Sequence, residues 1–412
     1  MKENKLDVKK TLLLSFGFFA SSIAWSVYNS FVPQILEGFI KSTTLIGFIM
    51  TIDNIFGVIF QPLFGKLSDN TRTRFGRRMP YIFIGLPICA AAFTLIPHMD
   101  SLWSLMAVLI IFTFVMSAWR SPVVALMPDI TPGPLRSQAN GIVNLMGGVG
   151  SLVAFFAGGI LFKKGGFPLP FLMSAVMMIV ALAVMALFVR EPKHAYEPDA
   201  KDKKTDLKLT KDEKKSLLLI LFGVFFWFTG YNAVETFFTL YATNTLGVDP
   251  GDAAMTLSIF SLTFLAFAVP AGYIAVKTGR RKAILVGLAG LTVLFLPMVF
   301  LVNVWLTRIC LFLGGFFWAL VNINSLPMVV RLSGEDKVGA FIGYYYFFSF
   351  SSQIVSPVLF GFIRDIVGDY KVLFLYACIA FVLAAISLFF VRHGEDKVES
   401  VSASQVLEQL DD

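Results

Sequence analysis

Charge is scarce in this chain. Asp, Glu, Lys and Arg make up 15% of its 412 residues, against about 25% in an ordinary soluble domain. That leaves too little polar surface to enclose a soluble core of this size, and it excludes both a soluble enzyme and a disordered chain. Cysteine is nearly absent. Cys89, Cys310 and Cys378 each sit in an apolar run with no neighbouring Cys or His. A secreted disulfide scaffold is therefore excluded, and buried free thiols are expected. Histidine is equally rare, and His98, His194 and His393 fall in loops or tails, away from any nucleophile or metal-ligand cluster. A phosphate-cradling glycine loop is missing, so ATP drive is excluded as well. No catalytic set, metal site or cofactor is expected. What is abundant is apolar: 57% of residues are hydrophobic, 44 are Phe, and the mean hydropathy is +0.75. Lipid is the solvent that suits this composition.

A membrane helix needs about 20 mostly apolar residues. Twelve such segments are predicted, over 11–36, 43–64, 79–97, 103–127, 139–162, 168–189, 216–241, 252–276, 283–302, 304–329, 339–363 and 370–391. The first follows a basic N-terminus, but it is longer than a signal peptide and lacks a small-residue cleavage site. The loops on one side, with both termini, hold 27 of the 34 Lys and Arg residues. That bias places both termini in the cytoplasm of a multi-pass cell-membrane protein. The +7 net charge is then topological and needs no nucleic-acid partner. The span-free segment 190–215 mixes basic and acidic residues. It reads as a cytoplasmic linker between an N-terminal six-helix bundle (1–189) and a C-terminal one (216–391), with a short helix near Leu207 to Lys215. Residues 392–412 form a cytoplasmic acidic tail.

The two halves repeat weakly but in order. Tyr28-Asn29 recurs as Tyr231-Asn232, Gly65-x-Leu67 as Gly272-x-Ile274, Gly76-Arg77-Arg78 as Gly279-Arg280-Arg281, and Trp119 and Pro128 as Trp318 and Pro327. The string GKLSDNTRTRFGRRMPY runs from Gly65 to Tyr81. In it Gly65 permits a close helix exit, Asp69 can accept from arginines or cap a helix, and Arg72, Arg74, Arg77 and Arg78 anchor the cytoplasmic surface. In the second copy Val276 stands where the acid would be.

Gly-x-Leu-x-Asp followed by Gly-Arg-Arg, inside two parallel six-helix halves, resembles the major facilitator superfamily. The stretch Gln61-Pro62-x-x-Gly65-x-x-Ser68-Asp69, then Arg74-Phe75-Gly76-Arg77-Arg78-x-Pro80, resembles its sucrose-transporter branch. Asn70-Thr71-Arg72-Thr73-Arg74 is similar to the wider glycoside–pentoside–hexuronide:cation symporters. The patch Arg120-Ser121-Pro122-x-x-Ala125-Leu126-x-x-Asp129-x-Thr131, leading to Arg136, agrees. The resemblance implies a secondary active transporter, a monomer that imports a glycoside or oligosaccharide with a cation by alternating access. It also implies a cytoplasmic gate built from Gly65, Asp69, Gly76, Arg77, Arg78, Asp129 and Arg136, with Gly279, Arg280 and Arg281 as its weaker copy. The paired acids of sodium-coupled relatives are replaced by Gly57 and Gln61, so protons are the expected coupling ion ahead of sodium.

An ionisable group deep in a span costs at least ~2.5–3.5 kcal/mol, so it usually faces a cavity and serves a function. Asp53, Arg120 and Glu235 are the three such groups, and they are the proton-coupling candidates. Burial penalises a carboxylate and a nearby guanidinium favours it, so a carboxyl between the two influences can take and release a proton as water access alternates. Asp53 and Arg120 also suit a purely structural pair fixing the second span against the fourth. The architecture lines its cavity with spans one, four, seven and ten. These offer Trp25, Tyr28 and Asn29; Trp119 and Arg120; Tyr231, Asn232 and Glu235; and Trp318 and Asn322. Flat rings suit the C–H faces of a sugar, and amides or carboxylates suit its hydroxyls. The same aromatic set suits efflux of amphipathic compounds, and a transport-inactive sensor is a third reading.

Overall fold

The structure is a computed structural model that describes residues 6–132, 135–191, 210–333 and 338–391. Among the described residues, twelve helices are long and apolar enough to cross a membrane. They are α1 (Val8–Glu37), α2 (Thr43–Asn70), α3 (Met79–His98), α4 (Leu102–Ile130), α5 (Gln138–Gly165), α6 (Pro168–Phe188), α7 (Lys211–Asn244), α8 (Pro250–Thr278), α9 (Arg280–Phe300), α10 (Val304–Val330), α11 (Gly339–Val367) and α12 (Val372–Phe389). Each predicted span finds its helix. The main differences lie at the ends. α1 breaks for one residue at Ser15. α2 runs on to Asn70, so Gly65 and Asp69 lie in its last turns and not in a loop. α7 begins at Lys211 behind a Thr210/Glu213 capping box, so the expected short helix near Lys215 is the first turn of a long one. Residues 192–209 and 392–412, most of the linker and tail, lie outside the described residues.

The repeat is visible in the packing. In the first half α1 packs on α5 and α6, α3 on α4 and α6, and α2 on α4. The same pairs recur six helices later: α7 on α11 and α12, α9 on α10 and α12, and α8 on α10. The halves meet along α2–α11, α5–α8 and α1–α7. Glycine lets two of these seams close backbone to backbone. A Cβ on Gly159 would lie 2.5 Å from the carbonyl oxygen of Gly251 in α8, and a Cβ on Gly361 would lie 2.5 Å from that of Thr43 in α2.

One face of the bundle carries the Arg-rich loops and is called here the basic face. Four of the six helices that start at the opposite, far face are capped by polar side chains: Ser42 for α2, Ser101 for α4, Asp249 for α8 and Asn303 for α10. The halves are tied together on that face. Asp365 of α11 accepts from Ser42 Oγ at 2.8 Å, from the backbone N–H of Thr43 and Thr44 at 2.8 and 2.9 Å, and from Thr44 Oγ1 at 2.7 Å. Its carboxylate thereby caps the first turn of α2 across the seam, where the helix dipole favours negative charge. Glu37 at the end of α1 accepts from Asn244 Nδ2 at 3.0 Å and from the Tyr370 hydroxyl at 3.1 Å. On the α5–α8 seam Lys163 pairs with Asp252 at 2.6 Å.

Candidate functional site

The three charges expected inside the membrane converge between the halves. Asp53 on α2 lies close enough to Arg120 on α4 and to Glu235 on α7 to feel both charges. It pairs directly with neither. Its carboxylate accepts instead from Asn54 Nδ2 at 3.0 Å. Glu235 meets the side chain of Asn29 on α1, so this contact spans the two halves. Arg120 is also within range of Tyr346 on α11. Asp53, Asn29, Arg120 and Glu235 are all half-buried, and Tyr346 is exposed. Two acids, one guanidinium and an amide thus share one region, with the guanidinium as the permanent cation.

The aromatic expectations divide. Tyr231 is half-buried and stacks on Trp318, with ring centroids 4.3 Å apart and planes 2° from parallel. Glu235 lies one turn further along the same face of α7. Trp25 is half-buried against Tyr28 and Phe112, and its buried indole N–H has no hydrogen-bond partner.

Three other residues are packed into helix contacts. Trp119 is 0% exposed, because Gly85 on α3 lets the indole close against that helix. Tyr28 is 1% exposed, enclosed by Trp25 and stacked on Phe112. Asn232 is buried and donates to Ser352 Oγ of α11 at 3.3 Å, so its amide is used inside its own half. A helical wheel ranks all three as inward-facing, but it cannot separate a cavity from a helix contact. Asn322 is half-buried on α10.

At the basic face the gate residues of the first half form one network. Arg77 Nη2 donates to Asp129 Oδ1 at 2.6 Å, and Arg78 Nε donates to Asp129 Oδ2 at 3.0 Å. Arg78 also donates to the Gly65 carbonyl at 3.1 Å and to Ser68 Oγ and Asp69 Oδ1. Arg78 and Asp129 are both buried. Glu191, just after α6, completes the cluster. It accepts from the Arg78 backbone N–H at 2.8 Å and lies 3.6 Å from Arg77. Nothing in the sequence near Glu191 marks it, since its partners are more than a hundred residues away. Arg136 donates to the carbonyls of Thr131 and Pro128 at 3.3 and 3.4 Å. Arg72 is turned to the carbonyls of Asp69 and Thr71, and Arg74 lies over Phe75.

The second copy is built differently. Arg281 Nε donates to the Leu388 carbonyl at 2.9 Å and its Nη2 to the Phe389 carbonyl, while Arg280 reaches the Pro327 carbonyl at 3.5 Å. Gly76 and Gly279 match in conformation, with φ of 107° and 94°, a region that favours glycine.

Comparison with known proteins bears on the family and the fold. The model of the Major Facilitator Superfamily matches residues 14–254 and again 221–408. The tetracycline resistance protein, class B, of Escherichia coli is 24% identical over 347 residues, covering 81% of this chain and 83% of that protein. The isoprimeverose transporter of Lactiplantibacillus pentosus is 22% identical, over 69% of this chain and 63% of its own length. The multidrug resistance protein MdtG of Proteus mirabilis (strain HI4320) is 27% identical over 209 residues, and the chain spans 50% of its length. Among solved structures, a bacterial homologue of the human lysosomal transporter Spinster, inward-facing and occupied, superposes with a TM-score of 0.71 at 13% identity, over 92% of this chain and 93% of that one. A point mutant of the nucleoside transporter NupG gives 0.71 at 12%, over 93% and 100%. With its repeat, its twelve spans and this match over most of its length, the chain belongs to the Major Facilitator Superfamily of multi-pass membrane transporters.

Proposed function

We propose that the protein is a proton-coupled importer of a glycoside or oligosaccharide. The observation that carries this reading is the convergence of Asp53, Arg120, Glu235 and Asn29 between the halves. Asp53 is the proton-carrying carboxyl, Arg120 its fixed counter-charge, and Glu235 with Asn29 the hydrogen-bonding pair for sugar hydroxyls. Tyr231 stacked on Trp318 supplies a flat apolar face. The basic face is cytoplasmic by the distribution of Lys and Arg. The bonds of Asp365, Glu37 and Lys163 then seal the outer end, and the site is reached from inside. The Arg77–Arg78–Asp129 cluster is the inner gate element, at rest within its own half. The isoprimeverose transporter among the relatives favours a glycosidic substrate. The protein acts as a monomer in the cell membrane.

A second reading, proton-driven efflux of amphipathic compounds, draws on the phenylalanine-rich surroundings of Glu235 and on the drug-resistance relatives. Proteoliposomes with imposed gradients separate the two. Glycoside accumulation driven by an inward proton gradient, and indifferent to sodium, is the expected result. Gradient-driven expulsion of amphipathic dyes without sugar flux overturns it. In Asp53→Asn, accumulation should vanish while substrate exchange at equilibrium persists. Full coupled accumulation in that variant removes Asp53 from the proton path.

A further inference from the structure

Two glycines have no work to do in this structure. Inside a helix, glycine is destabilising relative to alanine, so its presence calls for a close approach or a positive φ. At most described glycines an added Cβ would meet another group within 4 Å. Among the described residues, nothing lies that close at Gly141, Gly247, Gly343 and Gly368. Gly247 and Gly368 turn the chain with φ of 68° and 80°. Gly141 on α5 and Gly343 on α11 have neither reason.

The internal repeat ties these two together. Gly141 stands eighteen residues before Gly159, and Gly343 stands eighteen before Gly361. Helices α5 and α11 hold the same place in their halves, so the two pairs are copies of each other. Eighteen residues make five full turns. Each idle glycine therefore shares a helix face with its far-face partner and lies about 27 Å nearer the basic face. The partners are the glycines that let the seams close, Gly159 against Gly251 of α8 and Gly361 against Thr43 of α2. At mid-height the α5–α8 seam still touches, since a Cβ on Gly148 would lie 2.9 Å from Leu265. At Gly141 the helices have parted. Each seam is a wedge, shut at the far face and open at the basic face.

The same spacing identifies what faces each idle glycine across its wedge. Eighteen residues beyond Gly251 stands Val269 of α8, which is 83% exposed, and eighteen beyond Thr43 stands Gln61 of α2. Each directly precedes a proline inside its helix, Pro270 and Pro62, so these two positions are also copies of each other. We propose that Gly141 closes on Val269, and Gly343 on Gln61, when the far face opens. The two glycines are contacts of the opposite state, and they are idle only because this state leaves the basic end apart. A larger side chain at either position is free of contacts here and obstructs the other state. The inference goes beyond the transport reading and does not depend on the substrate or the coupling ion.

The test uses the full-length protein in liposomes, with the cysteine pairs Gly141→Cys with Val269→Cys and Gly343→Cys with Gln61→Cys, treated with a copper–phenanthroline oxidant. A disulfide needs Cβ atoms about 3.5–4.5 Å apart, so a bridge reports a shut basic end. Mass spectrometry of linked peptides distinguishes these bridges from the buried thiols Cys89, Cys310 and Cys378. Both matched pairs should bridge. The crossed pair Gly141→Cys with Gln61→Cys, whose members lie on different seams, should not. Gly141→Leu should lower bridging of the Gly343→Cys with Gln61→Cys pair about tenfold, the scale of an overpacked contact, because each half moves as one body. Its thermal unfolding should match wild type. If the leucine lowers the unfolding temperature, Gly141→Ala takes its place, with a smaller loss of bridging. Matched pairs that bridge no better than the crossed pair overturn the proposal. Bridging at the second seam that ignores both substitutions at Gly141 overturns it too.

Discussion

The corners at Gly76-Arg77-Arg78 and Gly279-Arg280-Arg281 share sequence and backbone conformation, yet they are held by different chemistry. In the first, Arg78 and Asp129 are buried together, and two more acids, Asp69 and Glu191, complete the network. In the second, Arg281 bonds carbonyls at the end of α12 among the described residues, and Val276 stands where Asp69 would be. A buried charge network is stiff and sensitive to the loss of any member, because the survivors are left uncompensated. Carbonyls at a helix end can turn to water instead. The first corner is therefore the one sensitive to the loss of a charge, and the second is a looser anchor.

Matched substitutions break that comparison most directly. Arg78→Ala should lower unfolding stability by about 3–5 kcal/mol, the cost of stranding one member of a buried ion cluster. Arg281→Ala should lower it by about 1–2 kcal/mol, the scale of an ordinary hydrogen-bonded side chain. Denaturant unfolding of both variants in one detergent checks this, and equal losses refute the distinction.

The far face gives the next effect. Asp365→Ala removes four hydrogen bonds across the seam. It should shift the balance toward an open far face by about 2 kcal/mol, or roughly 30-fold in population. Spin-label distances between the far ends of α2 and α11 report it, and an unchanged distribution shows that the glycine seams alone keep that face closed.

Smaller still is the difference between the two corner glycines. Both Gly76→Ala and Gly279→Ala force an unfavourable φ, at about 1 kcal/mol each. Gly76→Ala also drives a Cβ into the Glu191 carboxylate and should cost about 1 kcal/mol more. Glu191→Gly in the same chain, which removes the Cβ as well as the carboxylate, should remove the excess.

The smallest effect sharpens the comparison by rebuilding the missing acid. Val276→Asp places a carboxylate on an exposed position near Arg280 and Arg281, and it should stabilise by less than about 1 kcal/mol. Slower transport at unchanged affinity is the expected companion, since the anchor has become a latch.

How much of this was legible beforehand depends on range. Helix formation in lipid is dictated within a segment, because backbone groups there must bond locally. The apolar runs therefore mark all twelve spans, and the differences lie at ends such as Asn70 and Lys211, where polar residues continue a helix beyond the lipid. The charges Asp53, Arg120 and Glu235 stood out because each is costly in its own segment. Trp119 and Asn232 are buried in helix contacts that their own spans do not announce, because facing inward is a property of one helix, while lining a cavity depends on what faces it. Gly85 and Ser352, the residues that occupy them, lie in other spans.

The sequence by itself determined the number of spans, the internal repeat and the residues carrying charge in lipid, since each follows from local composition and from the cost of desolvation. Tertiary structure decided the rest. It brought Asp53 and Glu235 from different halves into one region, enlisted Glu191 in the Arg77–Arg78 cluster, and placed Asp365 on the first turn of α2. Those outcomes depend on which side chains meet across helix seams, and no single helix encodes that.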